Sequence, residues 1–323
     1  MAAGRPASIP SPRPQALPTE AATSPRPLGR YELAAFPLGA AARHSSASSH
    51  SNQPYEMISP QHLGWLLSAG LSPAVANYFF DNPHAMLNMG ANGQTLDQSQ
   101  VARVQRAWPH ATIGWVFDSF GPNTLTGNPG IQTAVIPAGV SYIQYDPEGP
   151  ANGTPTAESS ALARGDTSYV RAAAAVAHAH GLRFAFTPSI DSGMTGIQST
   201  YSLKYSTWLS EDRGAWAAIP GVDLYSIQTQ QAEGTSTFDS FTAAAISQAR
   251  AAAPTTPIDV GLGINPSNPP TPITTADIMA GYTAAAADGA AGYWHNVEVG
   301  VGANVPPSVY VAFFNQLYAQ LNG

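Results

Sequence analysis

Val140-Ser-Tyr-Ile-Gln-Tyr-Asp-Pro-Glu-Gly149 has the composition of a β-strand, because β-branched and aromatic residues fill it and a proline and a glycine end it. Successive side chains of a strand point to opposite faces, and the face with Gln144 ends in two carboxylates, Asp146 and Glu148. The carboxyl ends of the strands form the active-site face of a parallel barrel. We therefore predict that Asp146 and Glu148 perform acid chemistry at such a face. An ordinary turn, in which Asp and Gly serve only the backbone, is the alternative interpretation.

The chain after residue 84 alternates predicted strands with predicted helices, the pattern of βαβ units around a parallel sheet. The predicted strands cover residues 85–90, 111–119, 140–146, 182–189, 222–229, 257–264 and 291–297. The predicted helices cover residues 60–69, 96–108, 130–138, 167–180, 207–218, 238–252, 276–288 and 307–321. An eighth strand is expected between residues 55 and 80, with 75–80 as its candidate.

These elements predict an α/β fold, a (β/α)₈ TIM barrel, since about 270 residues is the usual length of one. A doubly wound open sheet is the second interpretation. Its dinucleotide-binding fingerprint, Gly-x-Gly-x-x-Gly after a strand, is absent from the sequence.

Five predicted strands share one rule: a bulky apolar face opposes a small or polar face, and the polar face ends in a carboxylate or an amide. The residues at these ends are Asp118, Asp146 with Glu148, Asp191, Gln228 with Gln230, and Asn265. The last predicted strand places Trp294, Asn296 and Glu298 on one face, and an aromatic ring at a barrel end suits the apolar face of a sugar. A core position for Trp294 is the alternative. Asp118, Asp191, Glu233 and Glu298 are the candidates for a second catalytic carboxylate.

The composition of the chain excludes several classes of function. It has 323 residues, a net charge of −7 and 13 basic residues, of which Lys204 alone is a lysine, so a nucleic-acid-binding role is not expected. Without cysteine there is no disulfide, thiolate nucleophile or zinc–thiolate site. No run of 18 apolar residues occurs, so no membrane span is expected.

Residues 1–54 differ from the rest of the chain. They are rich in Pro, Ala and Ser, and such a segment buries too little apolar surface to offset its ordering entropy. We predict a disordered tail or linker over residues 1–54 and a barrel domain over 55–323. The lysine-poor, Ala- and Thr-rich body is typical of secreted proteins of GC-rich bacteria, so we expect a secreted or cell-surface protein, although no signal peptide is evident.

The order of these motifs resembles the family 18 glycoside hydrolases of the chitinase type. It consists of Asp146-x-Glu148 at one strand end, Gln228-x-Gln230 after a later strand, and Gly292-Tyr-Trp294 in the last. The resemblance implies a barrel in which Glu148 is the general acid and Asp146 orients the acetamido group of the substrate. It also implies that Gln228 and Gln230 hold the sugar and that Trp294 lies under it.

The predicted function is therefore cleavage of a glycosidic bond in an oligosaccharide or polysaccharide by carboxylate chemistry. Neither a metal nor another cofactor is expected, and the protein is expected to be a monomer. Two alternatives stay open. One is a glycan-binding barrel without catalysis, because Gln144 stands where that family has an acidic residue. The other is a metal-dependent hydrolase or lyase that uses the strand-end carboxylates with Mg²⁺ or Ca²⁺.

Overall fold

The computed structural model of the protein describes residues 54–90, 94–122, 128–148, 157–194, 201–263, 272–297, 299 and 305–322. The predicted tail up to residue 53 lies outside these ranges, and its disorder stays a prediction. So do two predicted site residues, Asn265 and Glu298.

Eight parallel strands close into a barrel in chain order, with the last strand paired to the first. The strands are β1 (Tyr55–Ile58), β2 (Ala85–Met89), β3 (Thr112–Phe117), β4 (Tyr142–Tyr145), β5 (Arg183–Phe186), β6 (Leu224–Ile227), β7 (Ile258–Leu262) and β8 (Gly292–His295). The predicted TIM barrel is thus confirmed, as are seven strands after residue 84.

Helices surround the barrel. In the described ranges they are α1 (Pro60–Ser68), α2 (Pro73–Phe80), α3 (Gln98–Ala107), α4 (Ala157–Ala163), α5 (Ser168–Ala179), α6 (Tyr201–Ser210), α7 (Thr237–Ala252), α8 (Thr275–Asp288) and α9 (Pro307–Asn322). Short 3₁₀ turns lie at Ile131–Thr133, Arg213–Ala218 and Gln230–Ala232.

The two-face rule read from the strands holds in the structure. The apolar faces of the strands pack outward against the helices in one continuous core, which includes Ile143, Tyr145, Phe184 and Val260. A second, smaller cluster fills the barrel interior, and its buried members are Met57, Met86, Tyr142, Ala185 and Leu224. The polar ends of the interior faces therefore open at the C-terminal face of the barrel, which we call the mouth.

Four predicted elements were wrong. The first strand is β1, and residues 75–80 belong to helix α2, which begins after the N-cap Ser72. The predicted helix over 207–218 is instead α6 followed by the 3₁₀ turn Arg213–Ala218, because Asp212 adopts a positive φ of 51° that interrupts the helix.

The weak helix predicted over 130–138 is only the 3₁₀ turn Ile131–Thr133. Ala134 is already extended, with φ −67° and ψ 133°, and Pro137 has no N–H with which to continue a helix and disfavours the helical conformation at residue 136. The stretch after residue 149, predicted as an irregular loop, contains α4.

Candidate active site at the mouth of the barrel

Four carboxylates come together at the mouth from three neighbouring strands. Asp118 follows β3, Asp146 and Glu148 follow β4, and Asp191 lies in the turn after β5. The four side chains lie close enough to interact electrostatically, because the charges of Glu148, Asp118 and Asp191 all raise the pKa of Asp146. The structure thus groups the four acids that the strand-end rule had singled out.

Asp146 is the most enclosed of the four, with 9% of its surface exposed. Burial is the largest cause that raises the pKa of its carboxyl well above the usual range, and the neighbouring charges of Glu148 and Asp118 add to it. The side-chain amide of Gln228 donates to Asp146 Oδ1 over 3.0 Å and opposes this rise only in part. Burial and the neighbouring acids therefore favour the uncharged form of Asp146.

Glu148 lies at the rim of the mouth. Its side chain is exposed, yet surrounding protein replaces part of the bulk water around its carboxyl, and this desolvation is the main cause that raises its pKa to about 7. The charges of Asp191 and Asp118 raise the pKa further, and the ammonium of Lys204 lowers it. A carboxylic acid with a pKa near 7 is suited to general acid catalysis at neutral pH.

Asp191 has two polar partners, one at each carboxylate oxygen. Lys204 Nζ lies 3.0 Å from Asp191 Oδ2, and the hydroxyl of Ser189 donates to Oδ1 over 2.9 Å. Lys204 projects from α6, which begins at Tyr201 and not at the predicted residue 207, so the sequence did not mark this lysine as part of the site. Its signal in the sequence was its being the single lysine of the chain.

Gln228 and Gln230 form a short chain of amides behind Asp146. Gln230 Nε2 donates to Gln228 Oε1 over 3.2 Å, and Gln228 in turn donates to Asp146. Gln230 Oε1 lies above Gly261, where a Cβ atom would come within 2.1 Å of it, so a larger residue at position 261 would displace the end of the Gln230 side chain. Gln230 Oε1 has no hydrogen-bond partner among the described residues, which leaves a buried acceptor for a ligand or a water.

Gln144 lies deeper in the barrel than Asp146 and is fully buried. Its Oε1 accepts a hydrogen bond of 2.5 Å from Asn88 Nδ2, and the hydroxyl of Tyr142 donates to Asn88 Oδ1. Asn88 and Tyr142 were not selected from the sequence as functional residues. Their network satisfies Gln144 Oε1 and the amide of Asn88 inside the barrel, whereas Gln144 Nε2 has no partner among the described residues.

The remaining predicted site residues occupy different surroundings. Asn296 follows β8, is nearly buried, and has its Nδ2 without a partner among the described residues. Trp294 is half-buried and packs against the interior cluster of the barrel. Glu233 is fully buried, and its carboxylate accepts a hydrogen bond from the backbone N–H of Gly263. Burial raises the pKa of Glu233 to about 8. Contact of these residues with a substrate stays a prediction.

A cavity of about 600 Å³ lies between the segments that follow β2 and β3. Leu96, Trp115 and Ile136 are among its walls, and none of the predicted site residues is among the described residues that line it. The carboxylates, and not this cavity, therefore define the candidate site.

Within the described ranges, no three His, Asp or Glu side chains are arranged so that they could hold a metal ion. Across the same ranges, no helix combines the length and the apolar character needed to cross a membrane.

No protein-family model matches the chain, and neither does any curated protein. Among solved structures, it is similar to a variant of the carboxyl transferase domain of Rhizobium etli pyruvate carboxylase, solved with pyruvate. The two share 10% identity with a TM-score of 0.41, over 84% of this chain and 47% of that one. The chain thus spans about half the length of that structure, and a similarity at this level carries no functional argument.

Proposed function

We propose that this protein is a glycoside hydrolase that cleaves a neutral oligosaccharide or polysaccharide at the mouth of its barrel. The observation that carries the proposal is the grouping of Asp118, Asp146, Glu148 and Asp191 at the C-terminal ends of β3, β4 and β5. Most glycosidases cleave the bond with a pair of carboxyl groups, one of which acts as an acid of raised pKa, and Glu148 in this group has such a pKa.

Glu148 is the general acid in this proposal. It protonates the glycosidic oxygen, the bond between that oxygen and the anomeric carbon breaks, and the hydroxide of a water molecule adds to the carbon. The second proton of that water goes to an ionised carboxylate, so the sum is hydrolysis. Asp146, held by the hydrogen bond from Gln228, positions the substrate beside Glu148.

Polar groups without partners support a sugar as the ligand. Gln230 Oε1 and Asn296 Nδ2 are a buried acceptor and a buried donor at the ends of β6 and β8. Sugar hydroxyls both donate and accept, and they would satisfy both groups. The half-buried ring of Trp294 offers an apolar surface on the same strand as Asn296. A secreted location, which is expected from the composition, and a monomeric state complete the proposal.

The test is release of reducing ends from a panel of oligosaccharides by the wild-type protein and by Glu148→Gln. A general acid contributes about 10²- to 10⁴-fold, so the variant is expected to lose kcat by that factor and to keep its affinity for the glycan. The wild-type rate should fall as pH rises through about 7, the pKa of Glu148. Glu32→Gln, outside the predicted barrel, is the matched control.

Other outcomes of the same assay select the alternatives. Unchanged turnover in Glu148→Gln would remove Glu148 as the acid. Glycan binding without release of any reducing end would favour the non-catalytic barrel, for which the amide of Gln144, bonded to Asn88, is the supporting observation. Activity that is lost with EDTA and restored by Mg²⁺ or Ca²⁺ would favour the metal-dependent enzyme.

A further inference from the structure

The ion pair of Lys204 and Asp191 stands out among the contacts of the mouth because it is the point where a cation meets the group of acids. Lys204 is about 15% exposed at its side chain and Asp191 about 23%, so both are shielded from bulk water. Such a pair is screened less by salt than one at the surface. The hydroxyl of Ser189 donates a hydrogen bond to the other oxygen of Asp191, so a polar contact holds each of the two carboxylate oxygens.

The charged groups around Glu148 come from every element at this side of the mouth. They are Asp118 after β3, Asp146 on the same segment, Asp191 after β5 and Lys204 on α6. Of the two acids that raise the pKa of Glu148, Asp191 has the larger effect. Glu233, another candidate for the second carboxylate, bonds instead to the backbone of Gly263 at the end of β7.

We propose that Lys204 is a positioning residue that holds Asp191 as the ionised carboxylate of the site, and that Asp191 is the general base opposite Glu148. This inference rests on the proposed hydrolase function. Asp191 takes one proton from the attacking water, whose hydroxide adds to the anomeric carbon, while the proton of Glu148 moves to the departing oxygen. After the products leave, solvent returns the proton from Asp191 to Glu148.

The pH dependence of kcat/KM in Lys204→Met and Lys204→Arg tests this role. The acidic limb of the profile reports the ionisation of Asp191, and the alkaline limb reports that of Glu148. Loss of the ammonium group disfavours the ionised forms of Asp191 and Glu148. Lys204→Met should therefore move both limbs of the kcat/KM profile to higher pH, by about 0.5–1 pH unit. Lys204→Arg keeps the charge and should leave both limbs in place. A uniformly lower rate with unmoved limbs would assign Lys204 a merely structural role and overturn the proposal.

A second measurement needs no substrate. Lys204 is the only lysine, so its reaction with trinitrobenzenesulfonate, which consumes unprotonated amine, is followed at one peptide by mass spectrometry. Asp191→Asn removes the carboxylate that stabilises the ammonium and should accelerate this reaction severalfold, whereas Asp239→Asn, on the exposed face of α7, should not. An unchanged rate in Asp191→Asn would contradict the ion pair.

The two proposals fail in different ways. Hydrolysis with unmoved limbs in Lys204→Met would overturn the role of Lys204 and Asp191 while the hydrolase function stands. Absence of hydrolysis from every substrate, with an accelerated reaction of Lys204 in Asp191→Asn, would overturn the function and with it the assignment of a base. Hydrolysis with shifted limbs and an accelerated reaction would support both.

Discussion

Asp259 lies on β7 inside the barrel and is fully buried, unlike the acids at the mouth. The hydroxyl of Ser226 donates to its Oδ2 over 2.6 Å, and its Oδ1 has no partner among the described residues. Burial raises the pKa of Asp259 to about 7, and the charge of Glu56 adds to this effect. The folded protein therefore prefers Asp259 protonated, whereas the unfolded chain releases this proton near pH 4.

Replacement of Asp259 by Asn should reduce the loss in the free energy of unfolding that the barrel shows as pH rises. Below about pH 4, Asp259 is protonated in both the folded and the unfolded protein and does not lower the free energy of unfolding. As pH rises from there through about 7, the unfolded chain loses the proton first, and the free energy of unfolding falls by roughly 4 kcal/mol. Asn keeps an acceptor for Ser226 and carries no charge. The variant should therefore gain stability over wild type between pH 5 and 8, as measured by urea unfolding.

The matched control for this measurement is Asp239→Asn, which removes one exposed carboxylate from α7. A stability difference between Asp259→Asn and wild type that does not change from pH 4 to pH 8 would contradict a raised pKa at Asp259.

At the scale of elements, alternation along the strands made the barrel and much of its mouth predictable. Outward apolar faces and polar interior ends follow directly from a period of two, so the positions of Asp118, Asp146 and Asp191 could be read from the sequence. What the strands do not encode is the path of the segments between them. Lys204 belongs to the site through the position of α6 after β5, and no periodic signal marked it.

The first strand was not located within residues 55–80 because β1 has only four residues and carries Glu56 on its outward face, beside the buried Ile58. Glu56 faces the helices, where His295 and the hydroxyl of Tyr282 satisfy it. Helix α2 was mistaken for a strand because aromatic and β-branched residues fill it. Its Ser72-Pro73 start is nevertheless the same signal that identified α1, and its buried residues follow helical spacing.

Helix α8 allows a direct test of how its start is stabilised. Thr274 Oγ1 accepts a hydrogen bond from the backbone N–H of Asp277, and the Asp277 carboxylate accepts one from the N–H of Thr274, which completes a capping box. Thr274→Ala removes the first of these bonds and should lower the free energy of unfolding by about 1 kcal/mol. Thr283→Ala, at an exposed position inside the same helix, should be neutral or slightly stabilising, because Ala favours the helix interior. Equal losses in the two variants would contradict a capping role.

At the scale of the whole molecule, the barrel closes where β8 pairs with β1, and one buried pair joins these two strands through their side chains. His295 Nε2 lies 2.6 Å from Glu56 Oε2, and the Tyr282 hydroxyl donates to Glu56 Oε1 over 3.3 Å. Burial raises the pKa of Glu56, and the contact with His295 opposes this rise. The contact with His295 thus offsets part of the free-energy cost of burying the Glu56 carboxylate between the barrel and its helices. This contact lies where the first and last strands of the barrel meet.

His295→Phe should destabilise the closed barrel in a pH-dependent way. Phe has a similar volume and suits the aromatic surroundings, which include Tyr310, Phe313 and Phe314. It leaves Glu56 without its main partner, and breaking a buried pair in this way costs about 3–5 kcal/mol. The pKa of Glu56 then rises further, so the loss should be small near pH 4.5 and grow as pH increases toward 8. Urea unfolding at the two pH values measures it.

The double variant Glu56→Leu/His295→Phe separates the ion pair from the packing. It has no ionisable group at positions 56 and 295, so most of the stability lost in His295→Phe at pH 8 should return, and the pH dependence of the loss should disappear. If the double variant is as unstable as His295→Phe at pH 8, the loss comes from packing around position 295. The Glu56–His295 contact would then not be what holds the ends of the barrel together.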